Sequence, residues 1–184
     1  MRALAGAIAV SALAACAAQL PPPMVTFDNV QRLRETNTPA LALGAFTRGA
    51  ELSARQDQSI SIRADSLRPP SGGTFSAYLG NVIQAELAGA GKLDPASPLV
   101  LSGELTRSEV STVEAQSRGA VGARFRLVRA GAVVFEKEIT VVEDWPSSYW
   151  GFEAIPEAMN HYTGLYPKLF GALLADPEFQ AATR

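Results

Sequence analysis

Cys16 is the single thiol in a chain of 184 residues. A lone cysteine can act as a nucleophile, bind a metal or take an acyl group, but it cannot close an internal disulfide. His161 is the single histidine and lies beside Tyr162 in a helical pattern. Zinc requires three or four ligands, so no metal site is expected, and His161 reads as a surface or half-buried helix residue. Ser71 and Ser102 have glycine neighbours, but a serine nucleophile needs an activating base and neither serine has nucleophile-elbow spacing. Ser71-Gly72-Gly73 and Gly119-Ala120-Val121-Gly122 lack the lysine of a phosphate-binding loop. The carboxylate pairs Glu143 with Asp144 and Glu136 with Glu138 are accounted for by a solvated sheet face. No catalytic residue, metal ligand or cofactor is assigned, and the chain is expected not to be an enzyme.

One other segment carries recognition chemistry. Residues 143–152 hold both tryptophans of the chain, Trp145 and Trp150, together with Tyr149 and Phe152. Aromatics of this kind are enriched at binding hot spots, where they bury a large area with few rotatable bonds. They can equally close the end of a core. Two or more of the four, exposed and contiguous, would mark a contact surface for a partner, a ligand or lipid.

The charge balance, 16 Lys+Arg against 18 Asp+Glu, is nearly neutral, and no basic stripe marks a nucleic-acid surface. The amino terminus is more telling. Arg2 is followed by an apolar run from Ala3 to Ala15, broken only by Ser11. One positive charge, a short apolar stretch and small residues before a cut site make a secretory signal. The run falls short of the roughly 20 apolar residues that span a bilayer, so it is expected to be removed.

The cut-site residues Leu13-Ala14-Ala15-Cys16 resemble the lipobox of bacterial lipoproteins. The resemblance implies that the Cys16 thiol receives a diacylglyceryl group and that its freed amine receives a further acyl chain such as palmitate. Each buried methylene contributes about 0.8 kcal/mol, and one myristoyl chain binds only marginally. Two or three chains would therefore anchor the protein durably. In enterobacterial lipoproteins an aspartate after the cysteine favours inner-membrane retention. Ala17 in that place implies the outer membrane, facing the periplasm.

These features divide the chain into a signal peptide at 1–15, a lipidated terminus with a flexible tether at 16–39, and a single domain at 40–184. Pro21-Pro22-Pro23 favours an extended spacer, although Val25, Phe27, Val30 and Leu33 could add a strand or short turn. Ala40–Phe46 is an apolar run read as a buried strand, and Ser59–Arg63 alternates as a second. Pro69-Pro70-Ser71-Gly72-Gly73 signals a turn. Thr74 is an N-cap candidate. After it, Phe75, Tyr78, Leu79, Val82, Ile83 and Leu87 share one helical face and Gly91 is a stop.

Pro98–Val113 reads as a strand, and Arg118–Val128 with Val133–Val142 as a hairpin across a three-residue loop, Ala130-Gly131-Ala132. That register sets Leu127, Ala123 and Val121 opposite Phe135, Ile139 and Val141 on one face. It sets Arg126 and Arg124 opposite Glu136 and Glu138 on the other, and opposite charges across a ladder support the pairing. Phe125 opposite Lys137 suggests an inner face that is not fully dry. Glu153–Leu174 carries a last helical stripe, which Pro167 should kink or split near Tyr166. The expected class is α+β: an antiparallel or mixed sheet of about five strands with two main helices packed on one face.

The order of elements also resembles small periplasm-facing lipoproteins of the YajG type. The shared pattern is a strand pair, a helix of the form Phe75-Ser-Ala-Tyr-Leu79 to Ala90-Gly91, a hairpin, and a terminal helix ending near Ala175-Asp176-Pro177-Glu178-Phe179. It covers most of residues 40–180 and brings no catalytic residues, and the Trp145–Phe152 segment is not part of it. The resemblance implies a non-enzymatic accessory or binding module in envelope assembly or transport. Its partners would be the membrane, through the acyl chains, and an envelope protein. The alternative is a carrier of a small apolar ligand or lipid in a pocket between sheet and terminal helix.

Overall fold

The computed structural model describes residues 17–184 apart from Asn37, Ala64 and Glu114. Residues 1–15, expected as a signal peptide, and Cys16 lie outside the described residues. The fold is α+β with two sheets rather than one. The larger contains β2 (Ala42–Arg48), β5 (Leu99–Val113), β6 (Gln116–Arg129) and β7 (Ala132–Pro146) in the order β2-β5-β6-β7. β2 runs parallel to β5 and the other pairs are antiparallel. The smaller contains β1 (Ala17–Gln19), β4 (Asp65–Arg68) and β3 (Ile60–Ile62) in the order β1-β4-β3. Its strand β3 falls within the alternating segment Ser59–Arg63, but a separate sheet was not expected, because β4 carries almost no periodicity and β1 pairs with a partner far along the chain.

Two long helices, α2 (Phe75–Ala90) and α3 (Gly151–Ala175), pack on one face of the larger sheet. Phe75, Leu79, Ile83 and Leu87 of α2 are fully buried, as are Tyr162, Leu165, Tyr166, Leu169 and Phe170 of α3. The helix start expected at Thr74 is present, its hydroxyl accepting from the Ala77 amide, and Gly91 ends the helix. Two shorter helices add to the expected pair, α1 (Phe27–Glu35) and α4 (Pro177–Ala182). α1 lies over α2 and α3, and α4 touches β7.

The β6–β7 register matches the one read from charge and apolar pattern, from Leu127 with Phe135 through Val121 with Val141. The turn differs. Arg129 pairs with Ala132, so the loop is two residues, Ala130 (φ 48°) and Gly131 (φ 87°). Both in left-handed conformation is the geometry that suits a tight hairpin. A bulge between Leu127 and Val128 absorbs the extra residue and restores the register. The inner face is also drier than Lys137 suggested. Phe125 is fully buried, because Lys137 on the edge strand turns outward to Asp176 (2.9 Å) and Glu178 (2.6 Å) at the start of α4.

Pro167 does not split the last helix. α3 runs through it, with Leu165, Tyr166, Leu169 and Phe170 buried on both sides of the proline. These contacts hold the helix together across the missing hydrogen bond.

The largest departure concerns residues 16–39, expected as a flexible tether. Ala17 pairs with Ser66 and Gln19 with Arg68. The Leu20 amide donates to the Arg68 carbonyl at 2.9 Å, and the Leu20 side chain is buried. Tyr78 donates its hydroxyl to the Pro21 carbonyl at 3.1 Å, and burial pushes the ionisation of that phenol up to about 12. Leu33 is fully buried. The prolines therefore run along the domain surface, held by the Leu20 amide donating to Arg68 and by the Tyr78 hydroxyl donating to Pro21.

Glu86 fastens this segment. Its carboxylate is fully buried in α2 and accepts from the Thr26 amide (3.1 Å), the Thr26 hydroxyl (2.7 Å) and Asn29 Nδ2 (3.2 Å). It thus caps the N-terminus of α1 from another helix, where unpaired amides and the helix dipole favour negative charge. Glu86→Ala strands those donors, and we expect it to lower stability by about 2–3 kcal/mol in chemical denaturation. Amide exchange in α1 should rise before that of α2; equal protection in the variant would refute the role.

Candidate functional site

The structure divides the four aromatics of residues 145–152. Trp145, near the end of β7, is buried, with its indole stacked on His161 at 4.4 Å and 10°. Gly119 on the neighbouring strand provides the seat, since a Cβ there would stand 3.2 Å from the Trp145 ring and 2.9 Å from Leu165. His161 Nδ1 lies 3.1 Å from Glu143 Oε1, and Lys168 reaches Glu143 Oε2 at 2.6 Å. Burial works against the Glu143 carboxylate, but the hydrogen bonds from Lys168 and His161 outweigh it and hold its pKa below the ordinary value. Trp145 and His161 thus close the end of the core.

Tyr149, Trp150 and Phe152 point the other way. They are 85%, 60% and 74% exposed. Tyr149 and Trp150 meet edge to face at 5.6 Å, and Trp150 and Phe152 lie 6.2 Å apart. Three large aromatic side chains, contiguous and in water, form a ledge at the start of α3. The N-cap position makes no concession to helix initiation. Trp150 occupies the N-cap position and offers no side-chain acceptor, where serine, threonine, asparagine or aspartate would stabilise the helix by about 1 kcal/mol. Ser148 compensates in part, accepting from the Trp150 amide at 3.2 Å and donating to Glu153 at 2.6 Å.

The ledge is pinned from outside its own segment. Arg63, in the β3–β4 turn, donates to the carbonyls of Tyr149 (2.9 Å) and Ser148 (2.7 Å) and to the Ser147 hydroxyl at 3.3 Å. Its own backbone is left-handed, with φ 53°. Sequence pattern did not single out Arg63; an arginine beside a turn has no signature of what it will reach.

The arginines on the open face of the larger sheet are already paired. On the open face of the larger sheet, a depression of about 460 Å³ includes Ser102, Arg124, Arg126 and Glu136. Arg124 is met by Glu51 (2.7 Å), Glu104 (3.0 Å) and Glu138 (3.4 Å), and Arg126 by Glu136 at 3.6 Å. Glu143 faces α3 whereas Asp144 pairs with Arg118 on the opposite face, so the adjacent carboxylates do not form one site. Among the described residues, no cluster of three or more His, Cys, Asp or Glu could hold a metal ion.

The space between the larger sheet and α3, expected as a ligand pocket, is filled by Phe125, Tyr162, Leu165, Tyr166 and Leu169, all fully buried. The hydroxyls of Tyr162, Tyr166 and Ser108 bond to one another there at 2.7 Å, and burial pushes both phenols well above their usual range. A cleft of about 340 Å³ lies instead between the amino-terminal segment and the helices. Pro21, Met24, Tyr78, Val82, Thr163 and Gly164 line it.

Comparison with solved structures bears on the fold. A Xanthomonas campestris protein of the DUF330 family superposes with a TM-score of 0.58 over 88% of this chain and 95% of that one, at 16% identity. The chain shares its fold. A hypothetical protein from Chlamydia trachomatis gives 0.49 at 14% identity, over 79% of this chain and 99% of that one. A candidate lipoprotein from Caulobacter crescentus gives 0.47 at 14% identity, over 84% of this chain and 95% of that one. No family model and no curated protein sequence matches the chain. Among the described residues, no helix is long and apolar enough to cross a membrane.

Removing the Arg63 side chain should free the ledge without loosening the core. For Arg63→Ala we expect faster amide exchange at Ser147 to Trp150 with a stability change below about 1 kcal/mol. Unchanged exchange there would show that the guanidinium does not hold the loop.

Proposed function

We propose that this chain is a lipoprotein anchored through acyl chains on Cys16, serving as a non-enzymatic binding module in cell-envelope assembly or transport. The observation that carries this reading is the ledge of Tyr149, Trp150 and Phe152. Its three aromatic side chains stand in solvent where a loop held by three hydrogen bonds from Arg63 enters α3. A folded domain keeps such a surface at a cost in solubility, which is the mark of a contact site. The lipobox resemblance of Leu13-Ala14-Ala15-Cys16 and the YajG-type order of elements support the anchor and the envelope setting. Outer-membrane placement facing the periplasm follows from Ala17 in the position after the cysteine. An envelope protein is the partner this reading expects alongside the membrane.

The test is the mature terminus. Protein isolated from its host should begin at Cys16, carry the added mass of the acyl chains and sediment with membranes, while Cys16→Ala should abolish the added mass. A mature protein that starts elsewhere and stays soluble would refute the anchor.

The cleft favours a second reading, a carrier of a small apolar ligand. At about 340 Å³ it reaches the lower end of ligand-pocket size. Gly164 lines the cleft and nothing lies within 4 Å of a Cβ built on it, so Gly164→Leu is the variant chosen to occupy the space. The carrier reading expects an organic-extractable ligand in the purified protein that this variant loses; a ligand-free wild-type protein would remove it.

A further inference from the structure

The amino-terminal strand and the ledge lie at the same end of the fold. Ala17 is already in β1, paired with Ser66, and adjacent strands stand about 4.8 Å apart. One residue before Ser66, Asp65 pairs with Ile62 across the β3–β4 turn. That turn contains Arg63, whose guanidinium holds Tyr149 and Ser148. β1 runs parallel to β4, so going backward along it from Ala17 leads toward that turn and the ledge.

Cys16 is bonded directly to Ala17, and consecutive Cα atoms are about 3.8 Å apart. With the acyl chains of Cys16 in the hydrocarbon layer, the Ala17 backbone must lie at headgroup depth. No slack remains to lift the domain, because the following residues are paired through Gln19 and hydrogen-bonded at Leu20. Whatever surrounds Ala17 is brought against the bilayer surface. Three exposed aromatics on the segment that Arg63 holds at this end match that environment, since tryptophan and tyrosine rings partition to the zone where an apolar body and a polar edge are both satisfied.

We propose that Tyr149, Trp150 and Phe152 form a foot that lies in the headgroup zone of the bilayer holding the Cys16 acyl chains. The domain then touches the membrane at two points and keeps one orientation on it. This rests on the anchored-lipoprotein reading and adds the chemistry of the ledge's partner, a lipid surface rather than a protein.

The test supplies the anchor chemically, so its outcome does not depend on whether the host acylates the protein. The mature chain beginning at Cys16, which has no other cysteine, is coupled through that thiol to a maleimide-bearing lipid in phosphatidylethanolamine–phosphatidylglycerol vesicles. Some of the lipids are brominated near the carbonyl end of their chains. The emission of Trp150 is obtained by subtracting that of Trp150→Phe, which retains the buried Trp145. We expect Trp150 to shift to the blue and to be quenched by the brominated lipid, while Trp145 keeps its emission. Tyr149→Ser with Phe152→Ser, both at exposed positions, should reduce the quenching of Trp150 several-fold with circular dichroism unchanged. Trp150 emission identical with and without brominated lipid would overturn the foot, as would quenching indifferent to the double variant. A ledge built for a protein partner gives the first of those results. Failure of native acylation appears separately, in the mass of the terminus.

Discussion

A buried carboxylate must be met by donors, and among the described residues those that meet Glu86 come from residues 26–29, with no cation beside it. The requirement is strict, because an unpaired charge in the interior costs far more than any single contact returns. It ties the segment after the triple proline to α2, and Asn29 extends the tie to α3 by donating to the Pro167 carbonyl at 2.9 Å. From that point back to Ala17, the backbone is held by pairing with β4 and by the Tyr78 hydroxyl. A stretch whose composition suits a spacer becomes part of the folded unit.

That change alters what an anchor at Cys16 would mean. A lipid on a flexible leader lets a domain sample many orientations, and its surface need not suit the bilayer. A lipid one residue before a paired strand brings a particular end of the domain to the surface. The aromatic ledge is at that end, and the Arg63 hydrogen bonds join the turn beside β1 to the loop that carries it. The smaller sheet, only three strands wide, therefore connects the amino-terminal strand with the exposed aromatics at the start of α3.

The rest of the molecule supplies a rigid support. The larger sheet is covered on one face by α2 and α3, whose side chains leave no room for a ligand against Phe125 and Leu169. Its open face carries Arg124 and Arg126 already paired with carboxylates. Trp145 illustrates how close the two uses of an aromatic can lie. It stacks on His161 inside the core, while Trp150, five residues along, stands in solvent. The difference is their position on the last strand and the helix start, together with the space that Gly119 leaves for one indole.

Much of the fold could be read from the residues alone, wherever the signal was local or periodic. The helix from Thr74 to Gly91 announces itself by cap, stripe and stop. The β6–β7 register follows from two independent patterns, charge against charge and apolar against apolar, because antiparallel neighbours place side chains opposite one another. The lipobox resemblance is likewise a property of four adjacent residues. Tertiary structure alone decided the second sheet, the docking of residues 17–36, the continuity of α3 through Pro167 and the division of the four aromatics. Each depends on a partner distant in the chain: Ser66 for Ala17, Glu86 for Thr26, the packed core for the helix around Pro167, Gly119 and His161 for Trp145. Sequence periodicity reports which face of an element is apolar, but not which distant group will satisfy an amide or leave an indole in water.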